Sequence, residues 1–168
     1  MGYVHDTAMS QFIPPTAIHY VTGTWADAAG VIAGMIVKRK TANAETSVIN
    51  IPIMIPQNSV ALKGSYLKSV EIDYEIRTAA CTTLTATLSK VVRGADGAIA
   101  VVTNPAVTQD LTAATDAADV DQHKLTVTVT TPFWIDNDEY YLLVITAVCA
   151  LTTVFEVLGA VVNYTLRV

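Results

Sequence analysis

From Leu125 to Thr130 apolar and threonine side chains alternate strictly, and the same period of two recurs along most of the chain. It is the signature of a β-strand with one face towards a core. The last third, Lys124 to Val168, holds three such runs. In the first, Leu125, Val127 and Val129 oppose Thr126, Thr128 and Thr130, until Thr131-Pro132 breaks the run before Phe133-Trp134-Ile135. The second, Tyr140 to Cys149, is apolar on both faces, with Leu142, Val144 and Val148 on one side and Leu143, Ile145, Ala147 and Cys149 on the other. A strand of that kind needs cover on both faces: an opposite sheet on one, and an arm, a loop or another subunit on the second. The third run changes its apolar face near Gly159, which predicts a bulge or bend there.

Upstream, Val70, Ile72, Tyr74 and Ile76 oppose Ser69, Glu71, Asp73, Glu75 and Arg77, a half-buried strand with a wet outer face. Residues 81–92 alternate Leu84, Ala86 and Leu88 with Thr83, Thr85 and Thr87, and Arg93 to Gly97 with its Asp-Gly step predicts a hairpin that Ile99 to Thr103 closes. In Ser47 to Pro56, Ile49, Ile51, Ile53 and Ile55 share a face; Pro52 lies opposite and places the strand at a sheet edge or at a bulge. Thr22 to Trp25 reads as a short strand, Trp25 to Gly30 as a helical turn, and Val31 to Lys40 as an apolar run with a solvated Lys38-Arg39-Lys40 end. Gln57 to Ser65 and residues 106–123 read as loops. About eight strands with turn signals roughly every ten residues predict an all-β fold: one antiparallel, jelly-roll-like β-sandwich.

Residues 1–20 read as an extended arm ahead of a sandwich domain at 21–168. Phe12, Ile13, Pro14 and Pro15 join large apolar groups to two prolines that resist a regular ladder. With Tyr140, Leu142 and Val144 they form the expected self-association surface. Deleting residues 1–15 is accordingly expected to spare the fold and weaken assembly.

Composition sharpens this picture. At 168 residues the chain can bury roughly 70% of its unfolded surface without a staple. Charged residues are only 15%, against a usual ~25%, and apolar ones are 52%, so either much of the surface is Ala and Thr or part of it is covered by partners. The net charge of −5 argues against nucleic-acid binding. The apolar run 140–155 is too short, too rich in Thr and Val and too abruptly ended by Glu156 for a membrane helix, so no membrane partner is expected. No signal-peptide pattern opens the sequence.

Candidate chemistry is sparse. Nucleophile-elbow, phosphate-loop, dinucleotide-fold and zinc-protease motifs are absent, and His5, His19 and His123 lie in or beside the arm and at a loop end. Asp116, Asp119, Asp121 and His123 are the densest set of potential metal ligands but lack a calcium-loop pattern. Cys81 and Cys149 read as inert core thiols, with pairing across the sandwich left open, and no Cys/His group has zinc spacing. Trp25, Phe133 and Trp134 are the candidates for an aromatic sugar platform, each in an apolar neighbourhood more typical of core. No residue is singled out as catalytic, cofactor-binding or metal-binding, and a non-enzymatic role is expected.

The stretches MSQFIPP, TGTW, IPIMIPQNSVALKGSYLKSVEIDYEI and DQHKLTVTVTTPFWIDNDEYYLLV resemble a group of uncharacterised structural proteins from environmental phage and virus genomes, of the capsid decoration (cement) or head-fibre kind. The resemblance implies a small jelly roll, often trimeric, standing on a capsid lattice or in a fibre at the virion surface. It supplies no catalytic residue. A carbohydrate-binding or adhesive sandwich, and a subunit of a cellular surface filament or layer, are the alternatives.

Overall fold

The computed structural model describes residues 5–30, 34–58, 64–101, 104–110 and 120–167. Asp116 and Asp119 of the candidate metal set lie outside them, as do 31–33, 59–63 and 102–103 of the expected strands and loops. Among the described residues there are twelve strands and one 3₁₀ turn, Pro15–Ala17. The strands are β1 (Asp6–Ile13), β2 (His19–Thr22), β3 (Trp25–Ala29), β4 (Ile36–Lys40), β5 (Glu45–Ile53), β6 (Gly64–Arg77), β7 (Cys81–Arg93), β8 (Ile99–Val101), β9 (Val107–Gln109), β10 (Gln122–Trp134), β11 (Glu139–Cys149) and β12 (Val154–Arg167).

Two antiparallel sheets form the sandwich. The larger runs β3-β4-β12-β6-β10-β9, with β1 added on β12; the smaller runs β2-β5-β11-β7-β8. Without β1, β2, β3 and β9, eight strands remain, ordered β4-β12-β6-β10 against β5-β11-β7-β8. The last strand lies beside the first and successive strands mostly switch sheets, which is jelly-roll order. The expected eight are thus the frame, and four shorter or peripheral strands extend it. The inner faces meet in one core: Leu67, Val70, Ile72, Tyr74 and Ile76 from β6 against Ile49, Ile51, Leu143, Ile145 and Leu88 from β5, β11 and β7.

Local chemistry explains where regularity fails. In β12 the register with β6 slips between Val157 and Gly159. Phe155 and Val157 point inwards before the slip, and Ala160, Val162 and Tyr164 after it, which is the expected change of face. Gly159 is required there: its φ is +155°, and a Cβ on it would lie 2.6 Å from Cζ of Phe12. Thr131-Pro132 does not end β10; it falls inside a register shift between Thr128 and Phe133. Pro52 is tolerated because β2 covers β5 only from Val48 to Asn50, leaving an open edge beside the proline. The hairpin β7–β8 closes at Gly94–Gly97, where Gly97 has φ +83° and Oδ1 of Asp96 accepts the Ala98 N–H at 3.0 Å.

Three expectations are corrected. Trp25 to Ala29 is strand β3, not a helical turn, because it pairs residue by residue with β4 from Lys40 to Ile36; sheet pairing overrides the helix propensity of its alanines. The 106–123 loop contains β9, paired with Val127 to Val129 of β10. The basic triplet is only partly a solvated end: Lys38 and Arg39 keep partial exposure, but Lys40 stands opposite the inward-facing Phe155 and is fully buried.

Candidate assembly interface

The outer face of the smaller sheet is built by the alternate residues of β5, β11 and β7. Its central rows are Pro52–Leu142–Ser89, Asn50–Val144–Thr87 and Val48–Thr146–Thr85. These three rows carry no acidic or basic side chain, Arg93 standing on the same side only at the end of β7, and Leu142, Val144 and Val148 are half-buried while Tyr140 is 44% exposed. Met54 and Ile99, at 59% and 68% exposure, lie at strand ends of the same sheet. A sheet face of this kind, with a threonine row along one side, is compatible with water but loses little on being covered.

The seven residues expected at an interface do not converge. Tyr140, Leu142 and Val144 share this face. Phe12 lies on the opposite side of the molecule, 56% exposed over Gly159 on the outer face of the larger sheet. Ile13 is 2% exposed and part of the core, and Pro15 is buried in the 3₁₀ turn, while Pro14 is exposed. Residues 6–13 are extended, as expected of an arm, but they lie along β12 of their own chain, from Asp6 opposite Arg167 to Ile13 opposite Ala160. Alternation along β1 then sends Ile13 inwards and Phe12 outwards.

The outer face of the larger sheet has the reverse chemistry. Glu156, 1% exposed, accepts from Nε of Arg39 at 2.5 Å and faces Nη2 of Arg77 at 3.4 Å. Arg77 also pairs with Glu75 at 2.8 Å, and Lys124 with Glu71 at 3.0 Å. The carboxylates read as a wet row on β6 are half-buried because β12 and β10 flank that strand on both sides. Of the described members of the candidate metal set, His123 packs on the Tyr74 ring at 5.5 Å, and no group of three or more potential ligands converges among the described residues.

The aromatic candidates are engaged within the chain. Trp25 packs against Tyr20 at 4.6 Å and donates to the Thr22 carbonyl; Phe133 stacks on Tyr141 at 5.0 Å. Trp134 lies 4.8 Å from Tyr66, with the Arg167 guanidinium 4.6 Å over its ring. Together with Lys68 and Asp6 these residues line a surface pocket of about 490 Å³. The pocket was not legible in the sequence, since its walls come from β1, β6, β10 and β12.

In that pocket Arg167 donates two hydrogen bonds to Asp6, at 2.6 and 2.8 Å. They hold the Asp6 carboxyl below its ordinary value against the opposing effect of desolvation. A depressed folded value means that the pair's contribution is complete above about pH 4, the unfolded range, and is lost as pH falls through the lower folded value. In a Trp25→Phe background, acidification below about pH 4 should therefore change Trp134 emission as Arg167 is released, and Asp6→Asn should remove that step. An unchanged acid limb in Asp6→Asn would assign it to another carboxylate.

No helix among the described residues is long and apolar enough to cross a membrane. Comparison with protein-family models finds no match to this chain, and comparison with curated proteins finds none.

Proposed function

We propose that this protein is a non-enzymatic structural subunit that assembles with copies of itself, as a trimer, through the central rows of the outer face of its smaller sheet. Its setting in this reading is the surface of a virus or phage particle, as a capsid decoration or fibre-type protein on a major capsid lattice. The observation that carries the self-assembly is the β5-β11-β7 face, whose three central rows hold only apolar and uncharged polar side chains, in a chain whose larger sheet bears the buried Glu156 paired with Arg39. The virion setting rests on the resemblance in the sequence and on the jelly-roll order.

Sedimentation of the purified chain tests it. The wild type should sediment as an oligomer that binds capsids, and Val144→Lys should weaken association by about 100-fold or more, because a lysine on each copy would be desolvated on an apolar face. Val144 faces outwards and is half-buried, so the variant should keep the wild-type fold, read by its circular dichroism spectrum. A stable wild-type monomer with no affinity for capsids would end this reading.

The Trp134–Tyr66 pocket favours a second reading, a carbohydrate-binding or adhesive module. A glycan-array signal lost in Trp134→Ala would promote it. Negative-stain images of the native assembly separate a particle component from a subunit of a cellular surface filament or layer.

A further inference from the structure

Cys81 opens β7, Cys149 closes β11, and the two are register partners within the smaller sheet. They do not face each other across the sandwich. Their sulfurs are 3.9 Å apart, and the residues are 2% and 4% exposed. Register partners in an antiparallel pair have Cα atoms about 4.5–5.5 Å apart, inside the span of about 4.4–6.8 Å that a disulfide bridges. Bond formation thus needs side-chain rotation and a short approach, not a rearrangement of strands. The ladder also offers slack, because the register slips between Val148 and Cys149 with Thr82 as the extra residue.

The electrostatic setting favours the chemistry. The Lys40 ammonium is fully buried at the same end of the sandwich, donating to the carbonyls of Thr41 at 2.7 Å, Asn43 at 2.6 Å and Thr153 at 3.4 Å. The contact with Cys81 lowers the Cys149 thiol against the opposing effects of burial and of Glu45, and the Lys40 charge adds to the lowering. The same contact, together with burial, pushes Cys81 up. Either sulfur can donate to the other, and the Lys40 ammonium lies at the same end, so one thiol can lose its proton while its neighbour keeps one, as a nucleophile and a resolving partner require.

We propose that Cys81 and Cys149 are a modification site, closing into an intrachain disulfide when a peroxide reaches the strand ends. Cys149 thiolate attacks one oxygen of hydrogen peroxide, the O–O bond breaks, and the hydroxide released takes up a proton to leave as water. The resulting Cys149 sulfenic acid is attacked by the Cys81 sulfur, which gives up its proton as the S–O bond breaks and a second water leaves. Two thiols are oxidised by two electrons and one peroxide is reduced to two waters. The product clasps β7 to β11 at the end where both lose their regular ladder.

The test treats the reduced, folded full chain with hydrogen peroxide, removes the oxidant, and unfolds the protein in an alkylating reagent. Intact mass should show the loss of two hydrogens and no alkylation, and a peptide map should join the segments that carry Cys81 and Cys149. The melting temperature should rise by roughly 5–10 °C, reversibly on reduction. Cys81→Ser should instead leave a sulfenic acid at Cys149 that a dimedone probe traps, with no rise in melting temperature. Full alkylation of both cysteines after peroxide, oxygen addition without a cross-link, or a dimer bridged between chains would each overturn the proposal. The mass measurement on the wild type decides even where a variant fails to fold.

Discussion

Removal of residues 1–13 is expected to cost roughly 3–6 kcal/mol of folding stability, read as a lower urea midpoint. Three losses combine. Ile13 leaves the core, where its exposure is 2%, and removal of a buried Ile side chain alone is worth about 2–5 kcal/mol. The edge of β12 from Ala160 to Arg167 loses its eight-residue partner, exposing backbone groups that were paired. The Phe12 ring no longer covers Gly159, and the Asp6–Arg167 pair disappears. Ile13→Ala isolates the first loss and should cost about 2–4 kcal/mol with assembly unchanged. An unchanged midpoint together with lost sedimentation of the oligomer would mean that β1 serves a neighbouring copy in solution, as an arm would.

Lys40→Met is expected to destabilise the protein by about 3 kcal/mol, which for a chain of this size is roughly 6–12 °C in melting temperature. Lys40 is 0% exposed, and its ammonium ties the turn after β4, through Thr41 and Asn43, to Thr153 in the turn between β11 and β12. Glu45 stands 3.8 Å away and supplies countercharge. Methionine fills the volume but donates nothing, so the carbonyls lose a charged donor and Glu45 loses its nearby cation. Thermal melts of Lys40→Met and Lys40→Arg decide the matter. Equal stability of Lys40→Met and the wild type would show that water satisfies those carbonyls unaided.

Period-two patterning was enough to place β5, β6, β7, β10, β11 and β12, to place the hairpin at Gly94–Gly97 and to locate the change of face at Gly159. Those features depend on local alternation and on residues with special backbone needs, which sequence carries directly. Features that depend on which strands meet were not legible. Lys40 looked solvated in a basic triplet, yet pairing with β12 carried it inwards. Trp25 to Ala29 has the composition of a helical turn, and only β4 makes it a strand. Phe12 and Ile13 looked like one sticky patch, but adjacent residues of a strand face opposite ways, so β1 separates them to opposite sides of a sheet. Tyr140, Leu142 and Val144 were placed together because all three belong to one strand. The Cys81–Cys149 contact was not legible, since the sequence offered only a pairing across the sandwich and registering β7 on β11 requires the whole sheet.

The ladder between β1 and β12 also sets an order in time. Asp6 and Arg167 are 161 positions apart, and β12 is the neighbour of β1, β4 and β6 in the larger sheet. During synthesis at about 5–20 residues per second, β1 leaves the ribosome many seconds before its partner exists. Until then Phe12 and Ile13 sit on a strand without a ladder, and β4 and β6 lack the strand that joins them. The larger sheet therefore closes after translation of β12 in a single late, non-local step, the kind that makes β-sandwiches slow to fold. The smaller sheet, β2-β5-β11-β7-β8, has all its strands once β11 is made and can form first.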